Sequence, residues 1–338
     1  MIWEAKRMAE TVRENPLLKV EQLKMYFPLT KGLLSKTYSW VKAVDGISFE
    51  IYPNETFGLV GESGCGKSTT GKCAIRVLQP TEGRVVYKGR DIAGLSKSML
   101  KPYRRELQLI FQDPYGSLNP RQSVFSILKE AVVLDRERHT AVEANERVDE
   151  LLTLVGLDPD MKSRYPHEMS GGQRQRLGIA RALACNPKLV VCDEPVSALD
   201  VSIQAQIVNL FRELQAKLGL TYLFIAHDLA VVRHMADRIA IMYLGKIVEV
   251  IDSDHIFREA LHPYTVALLS ALPTTDYYQE RKRSRIILEG EVPSPVNKPA
   301  GCAFHPRCKY ATQTCRQVSP GLRNVGRNHC VACHNVAV

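Results

Sequence analysis

The chain lacks the marks of a membrane-spanning, secreted or nucleic-acid-bound protein. No run of eighteen or more apolar residues occurs in its 338 positions, so it holds no candidate for a membrane-crossing helix, which needs about 20. Residues 1–16 carry Glu4, Lys6, Arg7, Glu10, Arg13 and Glu14, where a secretory leader would have an apolar core. A cytosolic location is therefore expected. In that compartment the nine cysteines predict thiols or a metal site, not a disulfide framework. Net charge is also nearly missing from most of the sequence. Residues 281–338 hold ten Lys/Arg against two Asp/Glu, which is +8 of the total +9, so residues 1–280 carry only +1. A near-neutral body with a basic end argues against nucleic acid as a partner. Asn297-Lys298-Pro299-Ala300 lacks the aspartate that reads guanine and lies in a linker, which argues against a GTPase. No long internal repeat is visible.

What is present is a set of apolar runs, each ending on a special residue. Phe57-Gly58-Leu59-Val60 runs into Gly61, Leu189-Val190-Val191-Cys192 into Asp193, and Tyr222-Leu223-Phe224-Ile225-Ala226 into His227. Short unbroken apolar runs predict parallel strands buried on both faces. Each delivers a polar group at its C-terminal end, where open α/β sheets bind ligands. Helices are predicted over 67–78 and 173–184, the second with Leu177, Ala180 and Ala184 on one face. Between about 114 and 169 the period becomes helical, with Val148, Leu151, Leu152 and Val155 on one stripe. A helix near 264–272, a linker with Pro293, Pro295 and Pro299, and a Cys-rich end follow. The length suits about two domains: residues 16–260, with the helical insert at 114–169, and an extension over 261–338.

Gly61-Glu62-Ser63-Gly64-Cys65-Gly66-Lys67-Ser68-Thr69 has the G-x-x-x-x-G-K-[ST] form. Its glycines let backbone N–H groups face phosphates, and the following helix adds its positive end. Lys67 is expected on the β- and γ-phosphates and Ser68 on Mg²⁺. Asp193, at the end of an apolar run, is a second candidate anchor for hydrated Mg²⁺, and Glu194 is the candidate general base for an attacking water. Gln112, after Leu109-Ile110-Phe111, is placed to reach Mg²⁺ or that water, and His227 to hold the γ-phosphate. Ser170-Gly171-Gly172-Gln173-Arg174-Gln175-Arg176 forms a second glycine-rich, phosphate-seeking turn. Two such turns imply that ATP is held between two protein surfaces.

From residue 16 to about 261 these motifs, with the loop Ser197-Ala198-Leu199-Asp200, resemble the nucleotide-binding subunit of ABC transporters. The fold class so implied is α/β: a P-loop NTPase (RecA-like) ABC nucleotide-binding domain with a helical subdomain insert and a small Cys-rich C-terminal region. The family's adenine-stacking aromatic falls at Phe27, with Tyr26 as the alternative. Phe111-Gln112-Asp113-Pro114-Tyr115-Gly116-Ser117-Leu118-Asn119-Pro120-Arg121, Arg164-Tyr165-Pro166-His167-Glu168 and His262-Pro263-Tyr264 are similar to the oligopeptide/dipeptide importer ATPases. Glu62 to Thr69 and Gly172 to Arg176 stand closer to their F type. The resemblance implies a D-type ATPase partner, two transmembrane permease subunits, an extracytoplasmic peptide-binding protein, and a peripheral place on the cytoplasmic face of the membrane. It also implies a head-to-tail pair in which Ser170, Gly171, Gly172 and Gln173 close over the partner's ATP. The segment after Gln112 is the expected docking surface for the permeases. Another imported solute, a sugar or nickel, fits the same machine. A non-transport ABC ATPase usually has two ATPase units or a long coiled-coil insert, and this chain has neither.

Cys302, Cys308, Cys315 and Cys333 lie in a short loop-rich segment, a pattern that suits one metal centre. The end is similar to importer ATPase tails that hold a [4Fe–4S] cluster, which implies those four ligands. Zn²⁺ is the alternative metal, Cys330 a competing fourth ligand, and Arg307, Lys309 and Arg316 the expected charge compensation. Cys65, Cys73, Cys185 and Cys192 are expected in or near the core. The run Arg281-Lys282-Arg283-Ser284-Arg285 is a solvated stretch, with anionic lipid as an alternative contact.

Overall fold

The computed structural model describes residues 15–31, 36–133, 141–272, 285–326 and 328–336. The start of the chain (1–14) and most of the basic run (281–284) lie outside the described residues. The strands, in chain order, are β1 (Leu18–Lys31), β2 (Lys36–Ile51), β3 (Thr56–Val60), β4 (Glu82–Tyr87), β5 (Arg90–Asp91), β6 (Leu107–Ile110), β7 (Leu189–Asp193), β8 (Thr221–Ala226), β9 (Arg238–Tyr243), β10 (Lys246–Asp252), β11 (Arg323–Gly326) and β12 (His329–Val331). Two compact units arise, one built mainly from Gly94–Ile225 with Tyr52–Glu55, the other from Pro16–Ile51, Thr56–Ala93 and Ala226–Val338.

In the first unit β8, β7 and β6 lie in that order. They pair in parallel, Leu107 opposite Leu189 and Leu189 opposite Thr221. Every residue of β7 and β8 is buried, as their unbroken apolar runs predict. Burying one such Val, Leu or Ile contributes about 1.5–3 kcal/mol, so the two strands anchor the residues that follow them. The segment after β6 is helical: Pro114–Ser117, Val124–Val133 and Ala141–Leu154 precede two short 3₁₀ turns and the helix Gly171–Leu183. Val148, Leu151, Leu152 and Val155 are all fully buried, the outcome their helical spacing demands.

The second unit contains an antiparallel sheet ordered β2-β1-β4-β5, and strands ordered β11-β12-β10-β9-β3. Its antiparallel part is not among the sequence-based expectations, because a bulge breaks the alternation. In β1, Leu18, Val20 and Leu23 are buried, but Gln22 sits at φ 47° where the register with β2 shifts. The extra residue returns the next apolar side chain to the core. β3 is wholly buried and runs parallel to β9. The helix after the Gly-rich loop ends sooner than its sequence predicts, at Lys67–Ala74. Arg76 turns left-handed at φ 57° and gives its Nε–H to the Ile92 carbonyl at 2.9 Å, so a tertiary bond ends the helix.

The chain's end adds strands to this unit. Val331 and Cys330 of β12 stand opposite Glu249 and Val250 of β10. Glu249 is fully buried. Its carboxylate accepts from the Leu261 and His262 N–H groups at 2.7 and 3.2 Å and lies 2.7 Å from His329 Nε2. His262 Nδ1 accepts from the Tyr264 N–H at 3.1 Å and caps the helix Pro263–Ser270. Burial lowers the His262 pKa from 6.5 to about 4, although Glu249 works the other way. Below the ordinary value the unfolded chain takes up a proton that the folded chain refuses until the lower one. Stability from this residue is therefore complete above about pH 6.5 and is lost toward pH 4, at about 1.4 kcal/mol per pH unit. In thermal unfolding followed between about pH 7 and 5, His262→Asn, which retains a capping oxygen, is expected to show a flatter loss than the parent.

Candidate functional site

The residues predicted to hold a nucleotide fall in both units. In the second, β3 ends at Val60 and the Gly-rich loop begins. Gly61 admits no side chain: an added Cβ would lie 2.2 Å from the Met242 carbonyl oxygen. Gly66 caps the next helix at φ 106°, and its Cβ would lie 2.1 Å from the Ala43 carbonyl oxygen. Gly64 is also left-handed, at φ 77°. Left-handed turns of this kind aim successive N–H groups to one side and make an anion-binding concavity. Lys67 is buried, and its ammonium donates to the Gly61 and Glu62 carbonyls at 2.8 and 3.1 Å. Ser68 and Thr69 lie half-buried in the first turn of that helix, and Ser63 is exposed. Cys65 is buried, which pushes its thiol up from the usual range.

Tyr26 and Phe27, neighbours on β1, differ in their commitments. The Tyr26 hydroxyl donates to Asp45 at 2.6 Å, and burial with that bond pushes its pKa up. Phe27 is half-buried opposite Val41 of β2. His227 is exposed, directly after β8, and Asp228 caps the following helix through the Ala230 N–H.

In the first unit Asp193 is buried at the end of β7. Glu194 follows at φ 45°, where a side-chain-bearing residue is uncommon. Its N–H donates to the Ile225 carbonyl at 2.9 Å, and its own carbonyl accepts from Ser197 N–H and Oγ–H at 3.2 and 3.0 Å. These bonds hold the strained turn and leave the carboxylate facing Gln112, whose amide donates to it at 2.8 Å. The structure thus brings two predicted catalytic residues together.

Ser170 caps the helix Gly171–Leu183 with a reciprocal box: its Oγ accepts from the Gln173 N–H at 3.3 Å, and Gln173 Oε1 accepts from the Ser170 N–H at 2.9 Å. Gly172 lies close to Ile203, at 2.8 Å from where a Cβ would stand. Two arginines of this helix hold the segment after Gln112. Arg174 lies over the Tyr115 ring at 5.3 Å and donates to the Met169 carbonyl at 2.6 Å. Arg181 donates to the Ser117 carbonyl at 2.5 Å and lies over Phe111 at 5.9 Å. Sequence reading missed both contacts. An arginine in register with a downstream helix face is a weak signal until the aromatic it covers is known.

The expected metal centre is corrected. Among the described residues no three His, Cys, Asp or Glu side chains gather to hold a metal ion, so neither an iron–sulfur cluster nor zinc is retained. The backbone at Cys302, Cys315 and Cys333 is tied by hydrogen bonds, and one thiol has a polar neighbour. The Cys302 N–H donates to the Cys315 carbonyl at 2.8 Å, Cys315 Sγ lies 3.3 Å from Thr312 Oγ1, and the Cys333 carbonyl accepts from Arg323 at 2.9 Å. Burial pushes the Cys302 and Cys308 thiols up, and the neighbouring cysteine thiols add to the rise. Cys330 is a strand residue of β12. Arg307, expected to offset cluster charge, is paired with Glu62 at 2.9 Å.

A glycine-rich loop with its buried lysine, an acidic strand end and a serine-capped Gly-Gly helix are the marks of a P-loop ATPase of the ABC class. The ABC transporter family matches residues 44–197. The ATP-binding cassette MJ0796, solved as a dimer in a post-hydrolysis state bound to ADP and Pi, superposes with a TM-score of 0.63 at 26% identity over 70% of this chain and 98% of its own. Residues 248–315 match the oligopeptide/dipeptide transporter C-terminal region. The oligopeptide transport ATP-binding protein AppF of Bacillus subtilis is 52% identical over 95% of this chain and 98% of its own. The oligopeptide transport ATP-binding protein OppF of Escherichia coli is 46% identical over 97% and 98%. The chain belongs to this family of oligopeptide/dipeptide transporter ATP-binding proteins.

Proposed function

We propose that this chain binds and hydrolyses ATP to drive uptake of di- and oligopeptides through membrane permease subunits. The observation that carries the proposal is the serine-capped Gly-Gly helix start in the same chain as a complete phosphate loop, within a sequence similar to peptide-transport proteins over almost its whole length. Gly61, Ser63, Gly64, Cys65, Gly66, Lys67, Ser68 and Thr69 cradle the phosphates in this reading, and Phe27 stacks on adenine. Glu194 polarises the attacking water, Gln112 orients it and His227 holds the γ-phosphate. The oxygen donors of Ser68, Gln112 and buried Asp193 suit Mg²⁺, a hard cation that takes oxygen ligands. Mg²⁺ would neutralise phosphate charge there. Ser170, Gly171, Gly172 and Gln173 close over the ATP of a second subunit, as backbone N–H groups at a helix start suit a phosphate.

That second subunit is a D-type ATPase, and the assembly includes two permeases and an extracytoplasmic peptide-binding protein. Residues 16–260 form the ATPase domain and 261–338 the family extension. Exposed Phe111 and Tyr115, tied to the signature helix by Arg181 and Arg174, offer a face for the permeases on the cytoplasmic side of the membrane. Among the described residues no helix is long and apolar enough to cross a membrane, which fits a peripheral subunit. The test is reconstitution of the assembled complex in vesicles. ATP-dependent peptide uptake is expected, with the chain alone a poor ATPase. Uptake of nickel or a sugar without peptide would overturn the assignment of cargo.

A further inference from the structure

We propose that the C-terminal extension positions the phosphate loop, with Arg307 and Tyr264 gripping Glu62, so that ATP affinity depends on residues 202 and 245 positions from Glu62 in sequence. The inference rests on the nucleotide site proposed above. Glu62 directly follows Gly61, and the carbonyls of both receive the Lys67 ammonium, at 3.1 and 2.8 Å. The Glu62 N–H donates to the Tyr264 hydroxyl oxygen at 3.0 Å. Its carboxylate accepts from Arg307 Nη1 at 2.9 and 3.2 Å. The peptide that fixes the lysine is therefore held at its amide and its side chain by the extension.

The grip is built and shielded. The Arg307 side chain is 9% exposed and that of Glu62 27%, so water screens this pair less than a surface ion pair. Tyr264 is fully buried, with its ring 4.8 Å from Tyr243 and 5.4 Å from Phe304, and Phe304 lies 5.2 Å from Tyr243. Tyr243 is the last residue of β9 and follows Met242, the residue whose carbonyl Gly61 abuts. One aromatic cluster thus sets the Tyr264 hydroxyl at the start of the loop.

A second strap reaches the other side of the loop. Lys298 donates to Asp45 at 3.2 Å, the Asp45 N–H donates to the Gly245 carbonyl at 2.8 Å, and the Gly245 N–H donates to the Cys65 carbonyl at 2.8 Å. The same Asp45 accepts the Tyr26 hydroxyl. The extension therefore reaches the loop directly at Glu62 and, through Asp45 and Gly245, at Cys65. Arg307, Tyr264 and Lys298 are positioning residues. They act through Glu62 and Asp45, and none of them is assigned to the nucleotide.

The experiment is Mg²⁺–ATP binding by the full chain, measured by titration calorimetry for the parent, Arg307→Met, Arg307→Lys, Glu62→Gln and the double variant Arg307→Met/Glu62→Gln. The thermal midpoint of each is recorded. Either single loss of charge is expected to weaken ATP about tenfold, within the usual range of site-to-site couplings. The double variant should lose no more than one single, because both remove the same contact. Arg307→Lys should recover most of the affinity. Unchanged affinity in Glu62→Gln, or losses that multiply in the double variant, would overturn the proposal. Should Arg307→Met fail to fold, Glu62→Gln and Arg307→Lys still decide it. A parent chain that binds no ATP refutes the nucleotide site itself, whereas a binding parent with equally binding variants refutes only the grip.

Discussion

Replacing Glu194 by Gln is expected to leave ATP binding intact and to cut steady-state hydrolysis in the assembled complex by about a thousandfold, within the range of general-base contributions. The substitution is close to isosteric. The backbone bonds that hold the turn, from the Glu194 N–H to the Ile225 carbonyl and from Ser197 to the Glu194 carbonyl, do not involve the side chain. A glutamine side-chain oxygen also still accepts from Gln112, which now sits 2.8 Å from the carboxylate. What disappears is the capacity to take a proton from water. The variant should therefore unfold at the parent's temperature, bind ATP with the parent's affinity and stall with nucleotide enclosed. Calorimetric binding together with phosphate release in the reconstituted complex checks this. Turnover at the parent's rate would place the base elsewhere.

Gly66→Ala is expected to weaken ATP binding by at least about a hundredfold, while Gly64→Ala costs far less. Both positions are left-handed, at φ 106° and 77°, so each alanine pays about 1–2 kcal/mol of conformational strain. The surroundings separate them. At Gly66 the new Cβ would lie 2.1 Å from the Ala43 carbonyl oxygen and 3.0 Å from Met242 Cε, whereas at Gly64 nothing lies within 4 Å. A backbone oxygen does not move aside as a flexible side chain does. The loop would have to shift, and with it the start of the helix that carries Lys67 and Ser68. Two to three kcal/mol of lost phosphate contacts corresponds to about a hundredfold in affinity. Titration of Mg²⁺–ATP into the two variants makes the comparison. Equal, small losses would mean that steric contact with β2 does not set the loop.

Much of the local structure around the candidate nucleotide site is written in short contiguous stretches, and these were legible. The loop 61–69, the runs that became β3, β7 and β8, and the glycine-rich start of the helix Gly171–Leu183 each depend on residues within a turn or a strand of one another. Local spacing and backbone preference determine them. Misreadings arise where distant residues decide. The helix after the loop stops at Ala74 because Arg76 bonds Ile92. The antiparallel sheet escaped notice because the bulge at Gln22 breaks the period of two. The Cys-rich end looked like a ligand set on spacing and resemblance, yet no three metal-binding side chains gather to hold an ion among the described residues.

The sequence by itself determined the class of chemistry through a glycine-rich loop with its lysine, an acidic strand end and a glycine-rich helix start. It did so because those functions need particular residue types at fixed short intervals. Only the tertiary structure decided which groups hold them in place. Gln112 meets Glu194 across 82 positions and Arg307 meets Glu62 across 245. A hydrogen bond needs its partners within about 3 Å, and chain separation on that scale says nothing about distance until the core has packed.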